Sequence, residues 1–235
     1  MLNTAVDMTL TGRTLFKDNA WNTLCLPFDV VIEGSPLAGD NVQAMTLNAA
    51  TSGQSGSTLT LNFDHAPATI PAGTPFIIKW DSGDNLTNPV FTGVTVSKAT
   101  PTDVVFDGGT FKGTYSPIVW ETENKSILLV GGNNLYYPQP NGGQNPRINT
   151  CRAYFQLADG NNASEFVVNF GGETTSLNEE LRMKNDEGLA RRPEGESQFA
   201  PAAGWYSLDG RRIANGQKPT AKGIYIHNGR KVVIK

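Results

Sequence analysis

Between Val6 and Phe170 the chain runs through one short segment of strand character after another, with turn chemistry between them and no helical period. That pattern restricts it to an all-β architecture. The runs are Val6–Phe16, Trp21–Val31, Val42–Leu47, Ser57–Phe63, Thr74–Trp80, Val90–Val96, Val104–Phe106, Thr110–Tyr115, Ser126–Val130, Leu135–Tyr137, Ala153–Leu157 and Glu165–Phe170. Leu59, Leu61 and Phe63 alternate with polar residues, and Leu24, Leu26 and Phe28 fall at every second position, so each set faces a core by period 2. Thr74–Trp80 (TPFIIKW) and Ser126–Val130 (SILLV) are continuous apolar runs, the signature of strands buried on both faces.

Between the runs stand Ser52-Gly53-Gln54-Ser55-Gly56, Asp81-Ser82-Gly83-Asp84-Asn85, Asp107-Gly108-Gly109 and Gly131-Gly132-Asn133-Asn134, all turn formers. Charged residues make up only 17% of the chain while Gly (25) and Pro (14) are plentiful, which suits short strands joined by tight turns. The expected fold is an antiparallel β-sandwich over residues 1–172, then a polar linker over 173–203, then a small C-terminal two-hairpin β module over 204–235. Within the linker, Ser176-Leu177-Asn178-Glu179 reads either as a helix-capping box leading to about Lys184 or as extended chain. In the C-terminal module, Asp209-Gly210 and Asn228-Gly229 are two-residue hairpin signals. The second would set Ile224 opposite Val233 and Tyr225 opposite Val232, and the two hairpins could make a four-stranded sheet.

A net charge of −3 with no strongly basic stretch before the last residues gives no electrostatic footprint for nucleic acid. No apolar run reaches the ~18–20 residues needed to span a bilayer, so no transmembrane segment is expected. No signal peptide opens the chain, and the expectation is a fragment of a longer precursor. Cys25 and Cys151 read as two separate buried thiols, with a disulfide tying the first and last strands of the main domain as the alternative.

Catalytic patterns are sparse. The two histidines, His65 and His227, lack an orienting acid on the same face, and HExxH, CxxC, GxSxG and GxxxxGK[ST] patterns are absent. No catalytic residue, metal site or cofactor is therefore expected. Carboxylates that could pair as in a glycosidase are Glu121 with Glu123, Asp103 with Asp107 and Asp81 with Asp84, but each reads better as a solvated loop acid. Asp81–Asn85 has oxygens at spacings a Ca²⁺ loop could use, without the full pattern, and reads better as a turn. Aromatics beside polar loops are the remaining lead for a sugar-binding surface: Trp80, Trp120, Tyr136 and Tyr137, with Trp21 read as core.

The runs GRTLFKDNAWNTLCLPFDV, AGTPFIIKW, LTNPVFTGVTV, FKGTYSP, CRAYFQL and GGETTSL resemble the C-terminal β-sandwich modules of secreted and cell-surface proteins of Bacteroidales, adhesin-like and often with leucine-rich repeats upstream. The tail WYSLDGRRI…KGIYIHNGRKVVIK is similar to the sorting-type domains of the same bacteria. Its matching residues include Gly210, Arg211, Lys222, Gly223, Tyr225, Lys231 and Lys235. The resemblance implies an extracytoplasmic, secreted or surface location and a non-catalytic structural or display role. The implied partners are the upstream domains of the same precursor and envelope or secretion components. A carbohydrate- or host-glycan-binding sandwich is the alternative, and a glycoside hydrolase-like enzyme the second alternative.

Overall fold

The computed structural model describes residues 4–140 and 144–171, and the backbone of the strands Glu173–Asn178, Trp205–Ser207, Gly223–His227 and Arg230–Ile234. Among the described residues the chain is all-β, without a helix.

Two larger sheets make the first unit. One is seven-stranded, in the order Glu173–Asn178, Glu165–Phe170, Thr58–His65, Gln43–Leu47, Pro75–Lys79, Asn22–Cys25, with Gly53–Ser55 also paired to Thr58–His65. The other is five-stranded, in the order Val104–Phe106, Gly109–Thr114, Arg152–Leu157, Ile127–Gly131, Asn134–Tyr136. The expected alternation places the core. Leu59, Leu61 and Phe63 point from the first sheet, with Met45, Ile77, Phe166 and Val168, at Phe111, Phe155, Leu128 and Leu135 of the second. Phe111 stacks on Phe155 at 4.5 Å, and Phe63 meets both rings edge-on.

The seven-stranded sheet is covered on its other face too. Leu24, Phe76, Ile78 and Trp80 face away from the sandwich core, into a second cluster closed by Leu10, Leu15, Leu26, Phe28, Leu37, Ile70 and Phe91. Pro75–Lys79 is consequently buried at every position, as its unbroken apolar run requires. Leu24, Leu26 and Phe28 lie in one cluster, as their spacing implies.

The pairings are antiparallel with one exception among the described residues: Glu165–Phe170 runs parallel to Thr58–His65, in register from Glu165 opposite Thr58 to Phe170 opposite Phe63. A parallel pair needs a long crossover. Here the whole five-stranded sheet lies in the connection between the two strands. Past residue 172 the sheet gains Glu173–Asn178, paired antiparallel to Glu165–Phe170. Of the two readings of the capping-box stretch, the extended one holds for Ser176–Asn178.

The second unit, residues 192–235, holds a three-stranded antiparallel sheet among its described residues. Ile224 stands opposite Val233 and Tyr225 opposite Val232, and the ladder closes at His227 opposite Arg230, the register of a two-residue connection. Trp205–Ser207 pairs with Gly223–His227, from Trp205 opposite His227 to Ser207 opposite Tyr225. Its expected partner, Arg211–Ile213, lies outside the described residues, as do Gly210, Lys222 and Lys235.

Candidate functional site

The four aromatic candidates part company in three dimensions. Trp80 is fully buried, with its indole N–H donating to the Leu37 carbonyl at 2.9 Å and the Lys17 ammonium 5.1 Å from its ring centre. It is a core residue, which corrects the expectation of a ligand-stacking ring. The polar loop beside it misled the reading. The Asp81–Asn85 loop is held down by Lys17, whose backbone N–H donates to Asn85 Oδ1 at 3.0 Å and whose side chain lies against Gly83. That ammonium-bearing side chain also makes the loop a poor cation site. Tyr137 packs against the inter-sheet core, on the face opposite Tyr136, as neighbours on a strand must.

Trp120 and Tyr136 do share a surface, the outer face of the five-stranded sheet. They are half-buried around Ile127, Leu129, Ile148 and Tyr154. Trp120 meets Tyr154 edge-to-face, with centroids 6.3 Å apart at 73°. The pairing of Ile118–Val119 with Arg147–Ile148 and a hydrogen bond from Trp120 N–H to the Pro146 carbonyl (2.9 Å) fix the indole there. Lys112 stands directly opposite Tyr154 on the neighbouring strand and pairs with Asp103 at 2.6 Å. Burial raises the Tyr154 phenol pKa, and Lys112 works against it. This face offers aromatic edges, an ammonium and a carboxylate together. Tyr154 gave no separate signal in the sequence, because CRAYFQL reads simply as a strand.

The six paired-carboxylate candidates are all exposed. Asp103 is spent on Lys112, and Glu123 accepts from Gln139 at 3.2 Å. None is desolvated, which a glycosidase acid requires. Asp64 accepts from Asn48 at 2.7 Å, while His65, exposed, helps line an open groove of about 420 Å³ with Val31, Ile32, Gln43 and Pro67. Among the described residues no three His, Cys, Asp or Glu side chains gather as a metal-ligand set, and no helix is long and apolar enough to cross a membrane.

At one edge of the sandwich the two cysteines meet. Cys25 ends the edge strand of the seven-stranded sheet, and its N–H donates to the Cys151 carbonyl at 3.4 Å, next to the start of Arg152–Leu157. Cys25 is fully buried and its thiol donates to the Gly73 carbonyl at 3.3 Å, whereas Cys151 is half-buried. They are free thiols, but they are not separate. Burial pushes the Cys25 pKa up to about 12 and raises that of Cys151, where the Arg13 guanidinium pulls the other way. Arg13 is itself buried, donating to the Thr23 carbonyl at 2.8 Å, and the Nε atoms of Arg13 and Arg152 have no hydrogen-bond partner. Desolvation, and for Arg13 also the charge of Arg152, lowers the affinity of these guanidiniums for their protons.

No protein-family model, no curated protein and no solved structure matches the chain.

Proposed function

We propose that the chain is a non-catalytic β module of an exported surface protein: a sandwich that displays and spaces upstream domains, followed by a β tail that serves sorting or anchoring. The observation that carries the reading is the organisation of the tail. Residues 192–235 cluster as a unit of their own, with Gly223–His227 and Arg230–Ile234 paired in the register expected of Asn228-Gly229, in keeping with the short β module that the resemblance to sorting-type domains implies. The sandwich supports a spacer role through its two-sided core, in which the strand Pro75–Lys79 is buried at all positions.

The test is export. Behind a signal peptide, in a bacterium that carries surface-sorting machinery of the resembled kind, the full chain becomes accessible to protease added to intact cells. Deleting residues 204–235 leaves it protected inside. Equal accessibility of both versions would defeat the reading.

A second reading, glycan binding, is favoured by one specific observation: Trp120, Tyr136 and Tyr154 gather on the outer face beside Lys112 and Asp103. Sugar rings stack on such edges while charged groups take the hydroxyls. Affinity electrophoresis against plant polysaccharides and mucin glycans tests it. Retardation that Trp120→Ala abolishes supports this reading, and migration unchanged by every glycan removes it.

A further inference from the structure

We infer that Cys25 and Cys151 form an intramolecular disulfide that locks the open edge of the sandwich when the chain reaches an oxidising compartment. This goes beyond the display role and stands or falls independently of it.

Three observations converge. The first is reach. The Cys25 N–H donates to the Cys151 carbonyl at 3.4 Å, so the two backbones touch at these residues, as a Cα separation of roughly 4.4–6.8 Å across a disulfide requires. The second is backbone cost. Cys151 has φ = 53°, and every other left-handed residue among the described ones is Asn or Gly. A thiol stands where a residue with a Cβ and no local hydrogen-bonding side chain is strained. The third is what the edge lacks. Asn22–Cys25 ends the seven-stranded sheet, and its outer side packs on the Arg152–Leu157 strand of the other sheet. A bond there joins the two sheets covalently and encloses most of the domain in one loop.

The surroundings divide the labour between the thiols. Cys151 is only half-buried; burial raises its pKa while the Arg13 guanidinium pulls the other way, and it is the more exposed of the two thiols. It is the sulfur that meets an external oxidant, a small-molecule disulfide such as oxidised glutathione. The Cys151 thiolate attacks one sulfur of that disulfide, forming a mixed disulfide and releasing one glutathione thiolate. Cys25 gives its proton to water, turns from the Gly73 carbonyl and attacks the Cys151 sulfur, expelling the second glutathione thiolate. Two protein thiols thus lose two electrons and two protons, and one donor disulfide is reduced to two thiols.

The experiment uses the full chain, purified reduced and then incubated with excess oxidised glutathione under native conditions. The sample is denatured without reductant, alkylated with N-ethylmaleimide and mapped by mass spectrometry. The expected result is a monomer about 2 Da lighter than the reduced chain. It takes up no maleimide and yields one peptide pair joining residues 25 and 151. Its thermal midpoint is expected to rise on the order of 10 °C over the reduced chain. Cys25→Ser and Cys151→Ser should show no such oxidation-dependent rise, each compared with its own reduced sample. The wild-type peptide map decides the matter even if a variant folds poorly. Two maleimide adducts, stable glutathione adducts without a joined peptide pair, or a thermal rise that persists in either variant would each overturn the proposal.

Discussion

Trp21 stacks on Phe170, with ring centroids 4.8 Å apart and planes inclined by 24°. Trp21 stands just ahead of the strand Asn22–Cys25, and Phe170 closes the strand Glu165–Phe170, so the contact ties the beginning of the sandwich to its end. The indole also carries the Lys79 ammonium 5.0 Å from its centre, and the backbone N–H of Trp21 donates to Asn133 Oδ1 at 3.0 Å. Trp21→Ala should cost about 3–5 kcal/mol, because it deletes a buried ring that a rigid sheet cannot collapse to refill. Phe170→Leu should cost less than half of that. Urea midpoints of both variants check the order, and a loss in Phe170→Leu as large as that in Trp21→Ala would contradict it.

Gly113 has no room for a side chain. A Cβ there would run into Cys25 Sγ and lie 2.8 Å from Cys25 Cβ, with Pro101 at 3.2 Å. Gly113→Ala is therefore expected to destabilise by at least about 1–3 kcal/mol through overpacking. Removing the sulfur relieves the worst of the clash, so the double variant Gly113→Ala with Cys25→Ala should be more stable than the sum of the singles requires. A coupling of about 0.5–3 kcal/mol is expected from a double-mutant cycle under reducing conditions. Strict additivity would show that the backbone moves away instead.

Trp80 and Trp120 should respond differently to truncation. Trp80→Ala removes a fully buried ring and strands the Leu37 carbonyl, at a cost of about 3–5 kcal/mol. Trp120→Ala, at a half-buried ring on the outer face, should cost about 1–2 kcal/mol. The distinction matters for any binding assay: a loss of ligand retention in Trp80→Ala reports unfolding, whereas the same loss in Trp120→Ala reports the surface. Thermal melts run beside the electrophoresis separate the two.

That contrast marks how far the sequence is legible. Leu59, Leu61 and Phe63 announce their face because a strand's period is 2, whatever it pairs with. The same alternation says nothing about partners, so the parallel seating of Glu165–Phe170 on Thr58–His65 could not be read; it depends on an entire sheet folding in between. Trp80 looked like a rim residue because its sequence neighbours are polar. Burial is decided by what returns over it, in this case Leu37, Gly39 and Lys17. Trp120, Tyr136 and Tyr154 become one patch only through strand pairing. The register around Asn228-Gly229 was readable because a two-residue connection sets its own pairing.

The Lys112–Asp103 pair, 2.6 Å long, has side chains 32% and 46% exposed. Solvent screens it, so Asp103→Asn should cost less than about 1 kcal/mol and nearly nothing in molar salt. The hydrogen bond to Asp103 raises the Lys112 pKa above its ordinary 10.5. A raised folded-state pKa means the contribution is complete below pH 10.5 and is lost as pH climbs through the folded value. The gap between wild type and Asp103→Asn in urea midpoint should accordingly hold from pH 6 to about 10 and close above that. A gap that widened with alkali would contradict the pairing.

Alkali should also find the cysteine edge. In the reduced chain Cys25 keeps its proton to about pH 12 because its thiolate is desolvated, whereas an unfolded thiol ionises near 9. The folded pKa is raised, so the stability is complete below pH 9 and drains away between 9 and 12 as the unfolded state sheds protons the folded state retains. Tyr115, near both cysteines and also pushed up to about 12 by burial, adds to the same slope. With reductant present, the urea midpoint of the wild type should fall more steeply between pH 8.5 and 10.5 than that of Cys25→Ala, which has no thiol to titrate at that position. Both proteins keep Tyr115, and since the Cys25 charge is part of what raises it, the difference reports the buried thiol together with that coupling. Parallel curves would mean that Cys25 reaches solvent at alkaline pH and that the edge opens well before the sandwich unfolds.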